Sequence, residues 1–180
     1  MKKILFIAAV MFSLAASAQV TEVSLQASGL TCSMCSNAIN KSLKTIGFVE
    51  KVDANIKTST FQVTFKPGSK VDFDQLKKKV EDAGFFVAKL EANIRFDNNV
   101  IEADEHLSRN GITFHFLNAK GQTLNGIKTV RIMDKGFVPA KEYKKNSRLT
   151  TMECYKTGVA ESCCAKDGLA SGTRILHVTI

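Results

Sequence analysis

Between positions 20 and 90 the spacing of apolar residues switches between two periods in a definite order. Val23, Leu25 and Ala27 alternate with Glu22, Ser24 and Gln26, the pattern of a half-buried strand. Cys35, Ile39, Leu43 and Ile46 then recur at helical spacing, and Gly47 ends that run. Val52, Ala54 and Ile56, a turn at 57–59, and Phe61, Val63 and Phe65 read as a β-hairpin. Pro67-Gly68-Ser69 breaks the chain before a second helix. Asp72 is its cap, Gln75 completes a capping box, and Val71 can staple onto Leu76. Phe73, Leu76, Val80 and Ala83 form its apolar stripe, Gly84 stops it, and a strand begins at Phe85 and Phe86. The order strand, helix, hairpin, helix, strand predicts an α+β fold. It is a ferredoxin-like βαββαβ domain, an antiparallel sheet with two helices on one face.

The ends and the later half have a different texture. Lys2 and Lys3, the apolar run 4–14 and Ala16-Ser17-Ala18 read as a signal peptide over 1–18, cut after Ala18. The apolar run is too short to span a bilayer. The mature chain is therefore expected to be periplasmic or secreted, and not membrane-spanning after cleavage. Lys and Arg number 25 against 17 acids, a net charge of +8. Only Lys77-Lys78-Lys79 is a tight cluster, and on a helix it fans across solvent, which argues against a nucleic-acid partner. Leu90, Ala92, Ile94 and Phe96 continue the period of two with no Gly/Ser/Pro linker, so the strand is expected to run on into the next domain. The division is placed at 19–96 and 97–180. Residues 98–110 read as a polar loop or short helix. Ile112, Phe114 and Phe116, then 124–133 with Val130 and Ile132, then Leu176, Val178 and Ile180 read as strands of a small, mainly antiparallel β domain of unknown role.

The chemistry concentrates at the first strand-to-helix turn, Gly29-Leu30-Thr31-Cys32-Ser33-Met34-Cys35. Two thiols three residues apart at a helix N-terminus can both face one ion, and the positive helix end favours thiolates. Soft thiolates select Cu(I), Zn(II) or another thiophilic ion such as Hg(II). Zinc in structural sites takes four ligands, more than this turn supplies. Cys-x-x-Cys at a helix start also serves thiol-disulfide redox chemistry. Against that use stand the element order, the absence of Trp, and the position of Pro67 in a loop. A structural disulfide between Cys32 and Cys35 would close too short a loop to constrain the unfolded chain much.

Residues 20–90 resemble the heavy-metal-associated domain of copper chaperones and copper-pumping ATPases, whose motif is Gly-Met-Thr-Cys-x-x-Cys followed later by Gly-Tyr. This chain has Gly29-Leu30-Thr31-Cys32-Ser33-Met34-Cys35 and Gly84-Phe85, with Leu for Met and Phe for Tyr. The resemblance implies metal ligation by Cys32 and Cys35, with Leu30, Thr31 and Phe85 around them. Cys32, in the loop, is expected to receive the ion first, and Cys35 to complete coordination. It further implies Cu(I) as the ion, with Hg(II) scavenging as the alternative. The implied partner is a membrane copper-transporting ATPase or another thiol-bearing metal carrier. No catalytic constellation is visible, so no enzymatic activity is expected.

Cys154, Cys163 and Cys164 lie in a loop-rich segment. Two readings stand: a disulfide from Cys154 to Cys163 or Cys164, or a second soft-metal site assisted by Met152 or a histidine. His115 and His177 fall opposite the apolar residues of their strands and His106 in a polar loop, so all three are expected at the surface.

Overall fold

The computed structural model describes residues 20–30 and 32–180. The expected signal peptide and its cut site, and Thr31, lie outside the described residues. The first half has the expected order: β1 (Val20–Ser28), α1 (Ser33–Lys44), β2 (Val49–Asn55), β3 (Thr60–Phe65), α2 (Phe73–Asp82) and β4 (Phe86–Ile101). Asp72 caps α2 by accepting from the Gln75 N–H at 3.1 Å. Val71 and Leu76 are both buried, as a hydrophobic staple requires. Ile39 and Leu43 of α1 and Phe73, Leu76 and Val80 of α2 are buried in one core with Val23, Leu25, Phe61 and Val63. Burying a side chain of this size contributes about 1.5–3 kcal/mol. The expected inward row Val52, Ala54, Ile56 holds only at Val52, since Ala54 and Ile56 are exposed. The reason is position, because β2 is the edge strand of the sheet.

Eight strands form one sheet in the order β2-β3-β1-β4-β7-β8-β6-β5. Its first four neighbours are the ferredoxin-like arrangement, and the β-rich region continues it laterally. That region comprises β5 (His106–Arg109), β6 (Ile112–Phe116), β7 (Gln122–Ile132), α3 (Ala140–Asn146), α4 (Cys154–Thr157), a 3-10 helix (Ser162–Asp167) and β8 (Ile175–Thr179). The expected run-on strand is β4, 16 residues long, which pairs with β1 on one side and β7 on the other. The position between residues 96 and 97 falls inside it. Residues 98–110, read as a loop or helix, instead supply the end of β4 and all of β5. One pairing departs from the antiparallel pattern: β6 and β8 run parallel, with β7, α3 and α4 between them in sequence.

The core is continuous across this sheet. Phe96, Phe114, Phe116, Val130, Ile132, Leu176 and Val178 belong to the same buried cluster as the packing of α1 and α2. A second contact ties the halves at the surface. Arg174, before β8, meets Asp74 of α2 through Nε at 2.7 Å and Nη2 at 3.2 Å. Among the described residues no helix is long and apolar enough to cross a membrane.

Candidate functional site

The sulfur pair stands where β1 hands over to α1. Cys32 is the N-cap of α1, with extended backbone (φ −150°), and Cys35 lies in the first turn. Their sulfurs are 2.9 Å apart, and the Cys35 N–H donates to Cys32 Sγ at 3.4 Å. Cys32 is exposed and Cys35 half-buried, as their positions before and inside the helix imply. The fully buried residue of that turn is Ser36. No acidic residue occupies the first turn of α1, so the positive helix end faces sulfur without a competing carboxylate. The hydrogen bond from the Cys35 side chain, with the Cys35 and Met34 N–H groups, holds the Cys32 thiol below its ordinary range. Among the described residues no third Cys, His or carboxylate joins this pair in a three-ligand cluster.

Local backbone fixes the loop. Gly29 has φ +82°, a conformation that costs an L side chain about 1–2 kcal/mol. A Cβ there would stand 3.9 Å from Phe85 Cδ1, so the Phe85 ring borders the turn. Leu30 and Phe85 are partly buried and pack on the main core. Thr31 lies outside the described residues. Gly84, at φ +87°, closes α2 by donating to Glu81 O at 2.8 Å, and Phe85 donates to Val80 O at 3.2 Å. Met34 is 81 % exposed and Phe86 69 % exposed; one lies between the two cysteines in sequence, the other pairs with Ser28 at the entrance to the turn.

The later cysteines do not stand alone. The sulfurs of Cys154, Cys163 and Cys164 lie within 4.8 Å of one another, and those of Cys163 and Cys164 are 3.6 Å apart. The three histidines converge on Cys154 as well. Its Sγ lies 3.8 Å from His106 Nε2, 3.7 Å from His115 Nδ1 and 3.5 Å from His177 Nε2. The expectation of surface histidines is thus corrected: His115 and His177 are 0 % exposed and His106 8 %. Alternation did put His115 and His177 opposite the core-facing Phe114, Phe116, Leu176 and Val178. That opposite face, however, is covered by α4, the 3-10 helix and the segment between them, whose Cys154, Cys164 and Ala160 pack on Ile175 in a separate buried cluster. Burial and the neighbouring His177 and His106 push His115 down to about 4. Burial, with Cys164 and Cys163 adding, pushes the Cys154 thiol well above its ordinary range. Met152 packs at the margin of this cluster.

Residues 24–86 match the family described as the heavy-metal-associated domain. A copper-transporting ATPase of Saccharomyces cerevisiae is 41% identical over 64 residues, which are 36% of this chain and 6% of that protein. The chain therefore spans a small fraction of that relative's length. The mercuric transport protein periplasmic component of Pseudomonas fluorescens is 36% identical over 63 residues, 35% of this chain and 68% of that one. A yeast copper transporter domain solved in apo and Cu(I)-loaded states is 39% identical over 37% of this chain and 90% of its own, with a TM-score of 0.34.

Proposed function

Because the chain belongs to the heavy-metal-associated domain family, we propose that Cys32 and Cys35 take up Cu(I) as cargo and pass it on by thiolate exchange. The observation that carries this is the exposed sulfur pair at the start of α1, with sulfurs 2.9 Å apart. Two soft donors with no third ligand grouped beside them among the described residues suit an ion content with two thiolates, whereas zinc seeks four. With metal–sulfur bonds of about 2.3 Å, two sulfurs in line across one ion stand up to about 4.6 Å apart. The pair therefore opens by up to about 1.7 Å as the ion replaces the thiol protons, which pass to solvent, and exposed Cys32 has room to make that movement. The same exposure lets a partner's thiolate reach the ion before either original bond is lost.

The partner in this reading is a membrane copper-transporting ATPase or another thiol-bearing carrier. Met34 and Phe86, exposed beside the loop, offer it apolar contact. The protein acts outside the cytoplasm after loss of residues 1–18; N-terminal sequencing of the chain from fractionated cells, starting at Gln19, is the expected result, and an intact Met1 overturns it.

The test is Cu(I) titration against a competing chromogenic chelator, on the intact chain and on Cys32→Ser/Cys35→Ser. The double variant is expected to bind one equivalent fewer than the intact chain, and equal stoichiometry overturns the assignment. Likeness to a mercuric transport protein makes Hg(II) the second cargo to weigh. Displacement of Cu(I) by equimolar Hg(II) under physiological thiol would favour it.

A further inference from the structure

Three histidines stand in one row across three neighbouring strands. His106 on β5 is the register partner of His115 on β6, and His115 is the register partner of His177 on β8. Directly paired residues share a face of the sheet, so all three imidazoles project to the same side. There the first turn of α4 brings Cys154 over them, its sulfur 3.5–3.8 Å from one nitrogen of each ring. These are all the histidines the chain has.

The other nitrogen of every ring faces a carboxylate. His106 Nδ1 is 2.5 Å from Asp167 Oδ2, His115 Nε2 is 3.0 Å from Asp104 Oδ1, and His177 Nδ1 is 2.6 Å from Asp134 Oδ1. An ionised carboxylate only accepts, so each outer nitrogen carries the ring proton and each inner nitrogen presents a lone pair. Three lone pairs then point at one sulfur. A thiol has a single proton and satisfies one of them, whereas a cation at their centre satisfies all three together.

The spacing agrees. Around a tetrahedral ion with metal–nitrogen bonds of about 2.05 Å and a metal–sulfur bond of about 2.3 Å, the nitrogen–sulfur edge is roughly 3.6 Å. The carboxylate behind every imidazole is the arrangement that orients histidine ligands at metal centres. From this geometry we propose that His106, His115, His177 and Cys154 form a second metal centre, one that retains a zinc or copper ion. Imidazole with thiolate selects these borderline-soft ions over magnesium or calcium. Burial and the complete ring of carboxylates fit retention, in contrast to the exposed exchange pair at Cys32 and Cys35. The sulfurs of Cys163 and Cys164 lie within 4.8 Å of that of Cys154 and supply spare sulfur beside it.

The test uses the mature chain carrying Cys32→Ser/Cys35→Ser, so that it is independent of the cargo pair. Elemental analysis of this variant, purified anaerobically from cells supplied with both metals, is expected to give about one zinc or copper per chain. The metal found identifies the ion. After chelator stripping, one equivalent of Co2+ is expected to produce the intense visible bands of a tetrahedral site together with a near-ultraviolet thiolate-to-cobalt transition. Adding Cys154→Ser is expected to abolish that transition. Asp134→Asn, which alters no ligand, is expected to weaken Co2+ binding 10–100-fold with the spectrum kept. A metal-free protein that takes up no Co2+ overturns the proposal, as does bound Co2+ without the thiolate transition. Should Cys154→Ser not fold, the cobalt spectrum of the unaltered cluster decides.

Discussion

Asp134 Oδ1 lies 2.6 Å from His177 Nδ1, and the other oxygen of the same carboxylate lies 2.9 Å from Arg174 Nη1. Arg174 in turn holds Asp74 of α2, so one chain of charges leads from the histidine row to a helix of the thiol-bearing half. Asp134 is 4 % exposed, and removing it strands an imidazole and part of a guanidinium charge. Asp134→Ala is expected to lower stability by about 2–3 kcal/mol, read from urea unfolding of the metal-stripped protein. A loss below about 0.5 kcal/mol would mean that water replaces the carboxylate without cost.

Asp74 reports the same linkage through pH. Burial alone raises its pKa, but the hydrogen bond and charge of Arg174, with Lys77, outweigh burial and hold it below the ordinary 3.8. A carboxylate depressed in the folded state adds stability that is complete above its unfolded pKa and is lost as pH falls through the folded value. Both partners are more than a third exposed, so solvent screens the pair. Asp74→Asn is expected to cost about 1 kcal/mol at pH 7, and the gap in melting temperature from the parent is expected to close on acidification below pH 4. A gap independent of pH contradicts this.

The thiols are expected to alkylate in a set order. Cys32 is exposed and its pKa lowered; Cys154 is 0 % exposed and its pKa raised. Iodoacetamide mapped by mass spectrometry on metal-stripped, reduced protein is expected to label Cys32 early and Cys154 only on unfolding. Cys35→Ser replaces the thiol partner of Cys32, so the pH at which Cys32 reacts at half its maximal rate is expected to rise.

Gly29 can be separated from packing. Its φ is +82°, yet a Cβ would meet only Phe85 Cδ1 at 3.9 Å, an ordinary contact. Gly29→Ala is therefore expected to destabilise by about 1 kcal/mol through backbone strain alone. Phe85→Leu in the same background should not relieve it. Relief by Phe85→Leu in thermal unfolding would locate the cost in packing instead.

The first half was legible because its signals are local. Alternation in β1 and β3, the Asp72 cap and the Gly84 stop each act within a few residues, and the cysteine turn falls between two such elements. The second half depends on partners far apart in sequence. His115 and His177 are separated in sequence by β7, α3 and α4, and nothing in their spacing forms a motif. Their parity was readable and their environment was not, because covering a sheet face is a property of segments 150–170, which carry little periodicity. One clue was present. Ile175 shares the face of His177, and an apolar residue on the supposedly wet side marks a strand buried on both faces. Likewise β6 reads Thr113-Phe114-His115-Phe116, with no charge on either face.

From Glu91 to Ile94, β4 lends one edge to β1 and the other to β7. A fragment cut after residue 96 would bare a ribbon of unsatisfied amides opposite Arg131 to Gly126, and a second copy would be the nearest thing to cover it. The cysteine-bearing half and the β-rich half thus share one hydrogen-bonded ladder along β4.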